Sequence, residues 1–133
     1  TLLSVKEVIE TDFVQLHPDD KLGTLVAAIK QSKRNIFPVV DEVKNFQGYI
    51  TLDDVRSLMF EREKYTSVLV KSLMIRQEEH VAIGDTMEAV MTTFNTSGSW
   101  NLPVLDNGKY VGFVSRSNVF NYYRRKLQEF AVE

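Results

Sequence analysis

The chain has 133 residues, 44% hydrophobic and 11% aromatic, which is enough apolar material for a packed interior and excludes a disordered tail. Sixteen Lys and Arg against eighteen Asp and Glu leave a formal charge of -2, so the broad basic field of a nucleic-acid binder is missing. With no cysteine, disulfides and thiolate metal sites are excluded, in keeping with a reducing cytoplasm.

In chain order, Phe13-Val14-Gln15-Leu16 alternates roughly and reads as a strand entering a buried sheet. Leu22, Leu25, Val26 and Ile29 then have the spacing of one helix face. Phe37-Pro38-Val39-Val40-Asp41 predicts an apolar strand closed by an Asp turn, followed by a second hairpin strand through Gly48-Tyr49-Ile50 and a helix from Leu52 to about Glu63. Met59-Phe60 and the stretch Glu61 to Val68 read as a linker.

The second half begins with a short strand, His80-Val81-Ala82-Ile83, and a helix with its apolar face at Met87, Val90, Met91 and Phe94. Asp85 and Glu88 have the spacing of a capping box at its start. Leu102-Pro103-Val104-Leu105-Asp106 is the next strand, Asn107-Gly108 a hairpin turn, and a last helix is expected from Arg116 to about Phe130. The longest apolar run, Leu25-Val26-Ala27-Ala28-Ile29, is far short of the roughly 20 residues that span a bilayer. A start at Thr1, without an initiator Met or a signal-like segment, suggests a domain excised from a larger protein.

The halves repeat each other. Phe37-Pro38-Val39-Val40-Asp41 recurs as Leu102-Pro103-Val104-Leu105-Asp106, and Gly48-Tyr49-Ile50-Thr51-Leu52-Asp53-Asp54-Val55 as Gly112-Phe113-Val114-Ser115-Arg116-Ser117-Asn118-Val119. Upstream, Val8-Ile9-Glu10-Thr11 matches Leu73-Met74-Ile75-Arg76. Each half is expected to be strand-helix-strand-strand-helix, an α/β (more narrowly α+β) unit too small to be stable alone. The two units, residues 1–66 and 67–133, should pack together with pseudo-twofold symmetry.

Apolar-Pro-Val-Val-Asp, a hairpin, then Gly-x-x-Thr-x-x-Asp opening a helix, twice and in register, resembles the tandem CBS domain pair, or Bateman module, from about Val5 to Leu127. By itself Thr51 with Asp54 is a capping box, and that role is compatible with phosphate binding at the same helix start.

The resemblance implies adenine nucleotides in a cleft between repeats, with the motif Asp on the ribose hydroxyls. One candidate site uses Gly48, Ile50, Thr51 and Asp54, with Arg76, Val81 and the stretch Ser99, Trp100, Asn101 and Leu102 from the second repeat. The other uses Val114, Ser115 and Asn118, with Thr11, Leu16, Asn35, Ile36 and Phe37 from the first. Asn118 departs from the motif. A charged acceptor contributes about 1.5–3 kcal/mol per hydrogen bond and a neutral one about 0.5–1.5, so the Asp54 site is expected to be stronger. Against that stands the family's ClC tails, in which the second-repeat motif holds the nucleotide.

Trp100, the only tryptophan, either stacks on adenine or fills the cleft or a core position; burial is the expectation for so large an aromatic. Lys33, Arg34, Lys109 and Arg116 are phosphate candidates weighed against plain solvated charge. Arg124-Arg125-Lys126 near the end of the last helix complements its macrodipole. His17 and His80 lack metal-ligand spacing and read as structural, and no catalytic motif is present, so no enzyme is expected.

Ser32-Lys33-Arg34-Asn35-Ile36-Phe37-Pro38-Val39-Val40, Leu52-Asp53-Asp54-Val55-Arg56 and Ser115-Arg116-Ser117 resemble bacterial ClC chloride channel and transporter tails. That resemblance implies a cytoplasmic regulatory module of an integral membrane protein, homodimeric, coupled to the transport domain of the same chain. It would bias gating or transport in response to ATP, ADP or AMP, by about 1–3 kcal/mol. The alternatives are a structural dimerisation module that binds no ligand, and a CBS pair of another transporter or regulator.

Overall fold

The computed structural model describes residues 3–132. By packing, the chain forms two compact units: Asp12–Glu78, and the segment ending at Thr11 together with the chain from Glu79 onward. The boundary between residues 66 and 67 follows the sequence repeat, whereas packing assigns the segment before each repeat's first strand to a different unit from the one the repeat suggests.

In the Asp12–Glu78 unit, helix α1 (Leu22–Gln31) buries Leu22, Leu25, Val26 and Ala28 in one core with Phe37 of β1 (Ile36–Val40) and Ile50 of β2 (Phe46–Thr51). Full burial of a side chain such as Phe37 or Ile50 contributes about 1.5–3 kcal/mol. The hairpin pairs Phe37 with Ile50 and Ile36 with Thr51. Its loop is organised by the Asp41 carboxylate, which accepts from the backbone N–H groups of Val43 and Asn45 at 3.0 and 2.8 Å.

Of the strand expected at Phe13–Leu16, a single bridge forms at Leu16, which donates to the Pro38 carbonyl and accepts from Val40, both at 2.8 Å. On the other side of the hairpin, Tyr49 and Ile75 exchange backbone hydrogen bonds of 3.0 and 2.8 Å. The helix predicted from Leu52 to about Glu63 is cut short. Helix α2 spans Leu52–Val55, and 3₁₀ turns follow at Leu58–Phe60 and Arg62–Lys64. The tighter turns lay Leu58 and Met59 on the core and bring the Tyr65 hydroxyl to the Met59 carbonyl. The expected linker is therefore ordered: Gly23 and Leu22 donate to the carbonyls of Tyr65 and Val68, and helix α3 (Val70–Leu73) follows directly.

In the other unit, a 3₁₀ turn at Val5–Glu7 is capped by Ser4 and buries Val5. Strand β3 (Val81–Ala82) runs parallel to β4 (Asn101–Asp106), which pairs antiparallel with β5 (Lys109–Ser115). Asn107 and Gly108, at φ 50 and 79, make the predicted two-residue turn. Glu10 and Phe113 exchange two backbone hydrogen bonds of 2.9 Å, extending the sheet beyond β5.

Helix α4 (Met87–Ser97) starts differently from the Asp85–Glu88 box. Thr86 is the cap, accepting from the Ala89 N–H at 3.2 Å, while the Asp85 carboxylate turns back to the Ala82 N–H at 2.9 Å. Helix α5 (Arg116–Val132) buries Val119 and Tyr122 against Phe94, Leu102 and Val114. No helix among the described residues is long and apolar enough to cross a membrane.

Candidate functional site

Strand β2 ends at Thr51, whose hydroxyl accepts from the Asp54 backbone N–H at 3.2 Å and so caps α2. The half of the box that would return from Asp54 is not made. Its carboxylate is exposed and has no hydrogen-bond or ion-pair partner among the described residues, while the adjacent Asp53 pairs with Arg56. The Leu52 N–H donates to the Asn35 carbonyl at 2.9 Å, tying the chain before β1 to the motif. Arg76, exposed, follows Ile75 in the same unit, although its place in the sequence repeat assigned it to the opposite wall.

Gly48, Ile50, Thr51, Asp54, Leu16, Asn35, Ile36, Phe37 and Arg76 thus share one unit. Leu16, Phe37 and Ile50 are buried in its core, which leaves them closed to a ligand in this structure. Gly48 has a packing reason of its own, because a Cβ there would collide with the Ile75 carbonyl.

The other unit repeats the arrangement with altered chemistry. The Ser115 hydroxyl accepts from the Asn118 N–H at 3.2 Å, and the Asn118 side-chain amide donates to the Glu10 carboxylate at 2.9 Å. Arg116 N–H donates to the Trp100 carbonyl at 2.8 Å, the counterpart of Leu52 to Asn35. Thr11 and Asn101 lie in this unit, with Val81 and Val114 buried in its core. Asn118 also borders an open cavity of about 480 Å³ with Glu7, Val8, Asn121 and Arg125.

The CBS domain family profile matches this sequence twice, over residues 5–61 and 70–125. The chain belongs to the CBS domain family. It is a tandem CBS pair with an α+β fold. CBS domain-containing protein MJ0729 of Methanocaldococcus jannaschii is 24% identical over 127 residues, covering 94% of this chain and 98% of that protein. The crystal structure of CBSX2 in complex with AMP superposes with a TM-score of 0.72 at 21% identity, covering 92% of this chain and 97% of that one. The CBS domain of a bacterial CNNM/CorC family Mg2+ transporter in complex with ATP gives 0.76 at 17% identity, covering 89% and 84%. Identities this low establish a shared fold.

Two of the candidate cations, Arg116 and Arg34, are more committed than a solvated-surface reading allows. Arg116 donates through Nη2 to the Phe94 carbonyl at 2.6 Å and through Nε to the Ser99 carbonyl at 3.0 Å, so it caps the C-terminal end of α4. Its guanidinium also lies 5.4 Å from the centre of the Trp100 ring. Arg34 pairs with Asp12 and stacks 4.4 Å over Phe13, and that guanidinium holds the Asp12 carboxyl below its ordinary range. Trp100, expected to be buried, is 74% exposed: it follows the left-handed Gly98 turn at the end of α4, and its ring lies outside the core.

His17 Nε2 lies 2.8 Å from the Glu42 carboxylate, which raises the His17 pKa and lowers that of Glu42. Sequence reasoning passed over Glu10. Nothing local marks it, and its aligned counterpart is the apolar Ile75.

Proposed function

We propose that this CBS pair is a regulatory module, not a catalyst, and that it senses adenine nucleotides such as ATP, ADP or AMP. The observation that carries the reading is the Asp54 carboxylate, held at the start of α2 by the Thr51 cap, exposed, and without a protein partner among the described residues. A carboxylate so placed accepts two hydroxyl donors at once, which is what a ribose diol presents. The AMP and ATP complexes of proteins sharing the fold support the same ligand class. The exposed ring of Trp100 offers a face for base stacking.

The test is a thermal-shift panel of AMP, ADP and ATP on the whole chain. At least one should raise the melting temperature, and Asp54→Ala should cut that shift. No shift at millimolar concentration with any of them, together with a dimer by light scattering, would leave a structural dimerisation module in its place.

The host we propose is a ClC-type chloride channel or transporter, on the strength of the Ser32–Val40, Leu52–Arg56 and Ser115–Ser117 stretches. The module then lies in the cytoplasm, pairs with its twin, and biases the membrane-embedded transport domain of the same chain. A magnesium transporter is the second reading, favoured by the likeness to the CNNM/CorC domain. The residues encoded next to this stretch in its gene decide between them.

A further inference from the structure

The two motifs differ at one position, Asp54 against Asn118, and the strands beside them differ in a complementary way. Ile75 pairs with Tyr49 through hydrogen bonds of 3.0 and 2.8 Å, and Glu10 pairs with Phe113 through two of 2.9 Å. In both cases the neighbouring glycine, Gly48 or Gly112, has no room for a Cβ because the partner's carbonyl oxygen stands there. Ile75 and Glu10 are therefore geometric equivalents. One unit has its carboxylate on the helix and an isoleucine on the strand. The other has an amide on the helix and its carboxylate on the strand.

We propose that Glu10 is the hydroxyl-accepting carboxylate of the second motif, and that Asn118 is a positioning residue for it. The 2.9 Å bond from the Asn118 amide to Glu10 carries the assignment. An aspartate at 118 would set two negative charges at hydrogen-bonding distance, which disfavours both being ionised, whereas an amide donates and stabilises the charge. The departure from the motif at 118 is thus the partner of a charge gained at 10. Glu10 is also well anchored, since both its backbone polar groups are engaged with Phe113. The ligand class is a ribonucleotide presenting a vicinal diol.

This inference rests on the nucleotide-sensing reading, and one calorimetric series separates the two. Asp54→Asn should remove the first motif's contribution and leave one binding event for the preferred nucleotide. Adding Glu10→Gln, which keeps the size and the backbone pairing, should weaken that event about tenfold and narrow the difference between AMP and 2′-deoxy-AMP. Asn118→Asp should weaken it as well. The assignment is overturned if Glu10→Gln leaves both affinity and ribose discrimination unchanged, or if Asn118→Asp tightens binding, since position 118 would then be the acceptor. Wild-type protein that binds none of AMP, ADP or ATP overturns the assignment and the nucleotide-sensing reading together.

Discussion

A Cβ placed on Gly112 would collide with the carbonyl oxygen of Glu10, so the strand leading into the second motif accepts its neighbour only because that residue has no side chain. Gly48 stands in the same relation to Ile75. Backbone oxygens cannot swing aside as a flexible side chain can. Gly112→Ala and Gly48→Ala should each destabilise the chain by about 2–3 kcal/mol in urea titrations. Gly84→Ala, where nothing lies within 4 Å of the added atom, is the control expected to stay within about 0.5 kcal/mol. Equal midpoints for all three would contradict the close approach.

Arg116 closes the end of α4, and its loss removes a charged donor from the Phe94 and Ser99 carbonyls, Phe94 keeping only the bond from the Gly98 N–H and a long one from the Ser97 hydroxyl. Arg116→Ala should cost about 1.5–3 kcal/mol, the range for hydrogen bonds to a charged group. Arg116→Lys should recover little of it, because an ammonium cannot reproduce the planar fork that reaches several acceptors at once. Unfolding followed by the emission of Trp100 reads this directly, since its ring lies beside the guanidinium.

If Trp100 stacks on a base, Trp100→Ala should leave stability almost unchanged and weaken nucleotide binding by about 1–3 kcal/mol. The 74% exposure of Trp100 is the reason for the stability half of that expectation. Nucleotide should also quench its fluorescence. A variant that melts early while binding normally would point to a packing role instead.

His17 and Glu42 give a pH dependence of definite sign. The folded His17 pKa is raised, mainly by its hydrogen bond to Glu42, so its contribution is complete below the unfolded histidine pKa and is lost as pH rises through the folded one. The folded Glu42 pKa is lowered, mainly by the same bond, so its contribution holds above the unfolded carboxyl pKa and is lost as pH falls through the folded one. The pair should therefore help most in the mildly acid window between the ordinary Glu and His values, and only weakly, because both side chains are solvated. NMR titration should find the His17 pKa above its ordinary value and lowered toward it by Glu42→Gln.

Much of the local architecture was legible in the sequence, because it depends on short-range chemistry. The apolar spacing in Leu22–Ile29 and Met87–Phe94 gave two helices, Asn107-Gly108 gave its turn, and Thr51 gave its cap. Where two local solutions had similar energies, the sequence was a poor guide. Thr86 and Asp85 both offer a capping oxygen to α4, and the segment after Val55 traded a continuous helix for turns that bring Leu58 and Met59 to the core.

The candidate site divides in the same way. Repetition of the motif, read from the chain alone, picked out Asp54 and Asn118 as equivalents. That Glu10 stands against Asn118, that Arg76 belongs to the unit of Asp54, and that Arg116 serves α4 rather than a free anion were decided by tertiary structure. The physical reason is that each depends on contacts between segments far apart in the chain. Glu10 meets Phe113 through main-chain groups common to all residues except proline, so no side-chain pattern announces the encounter.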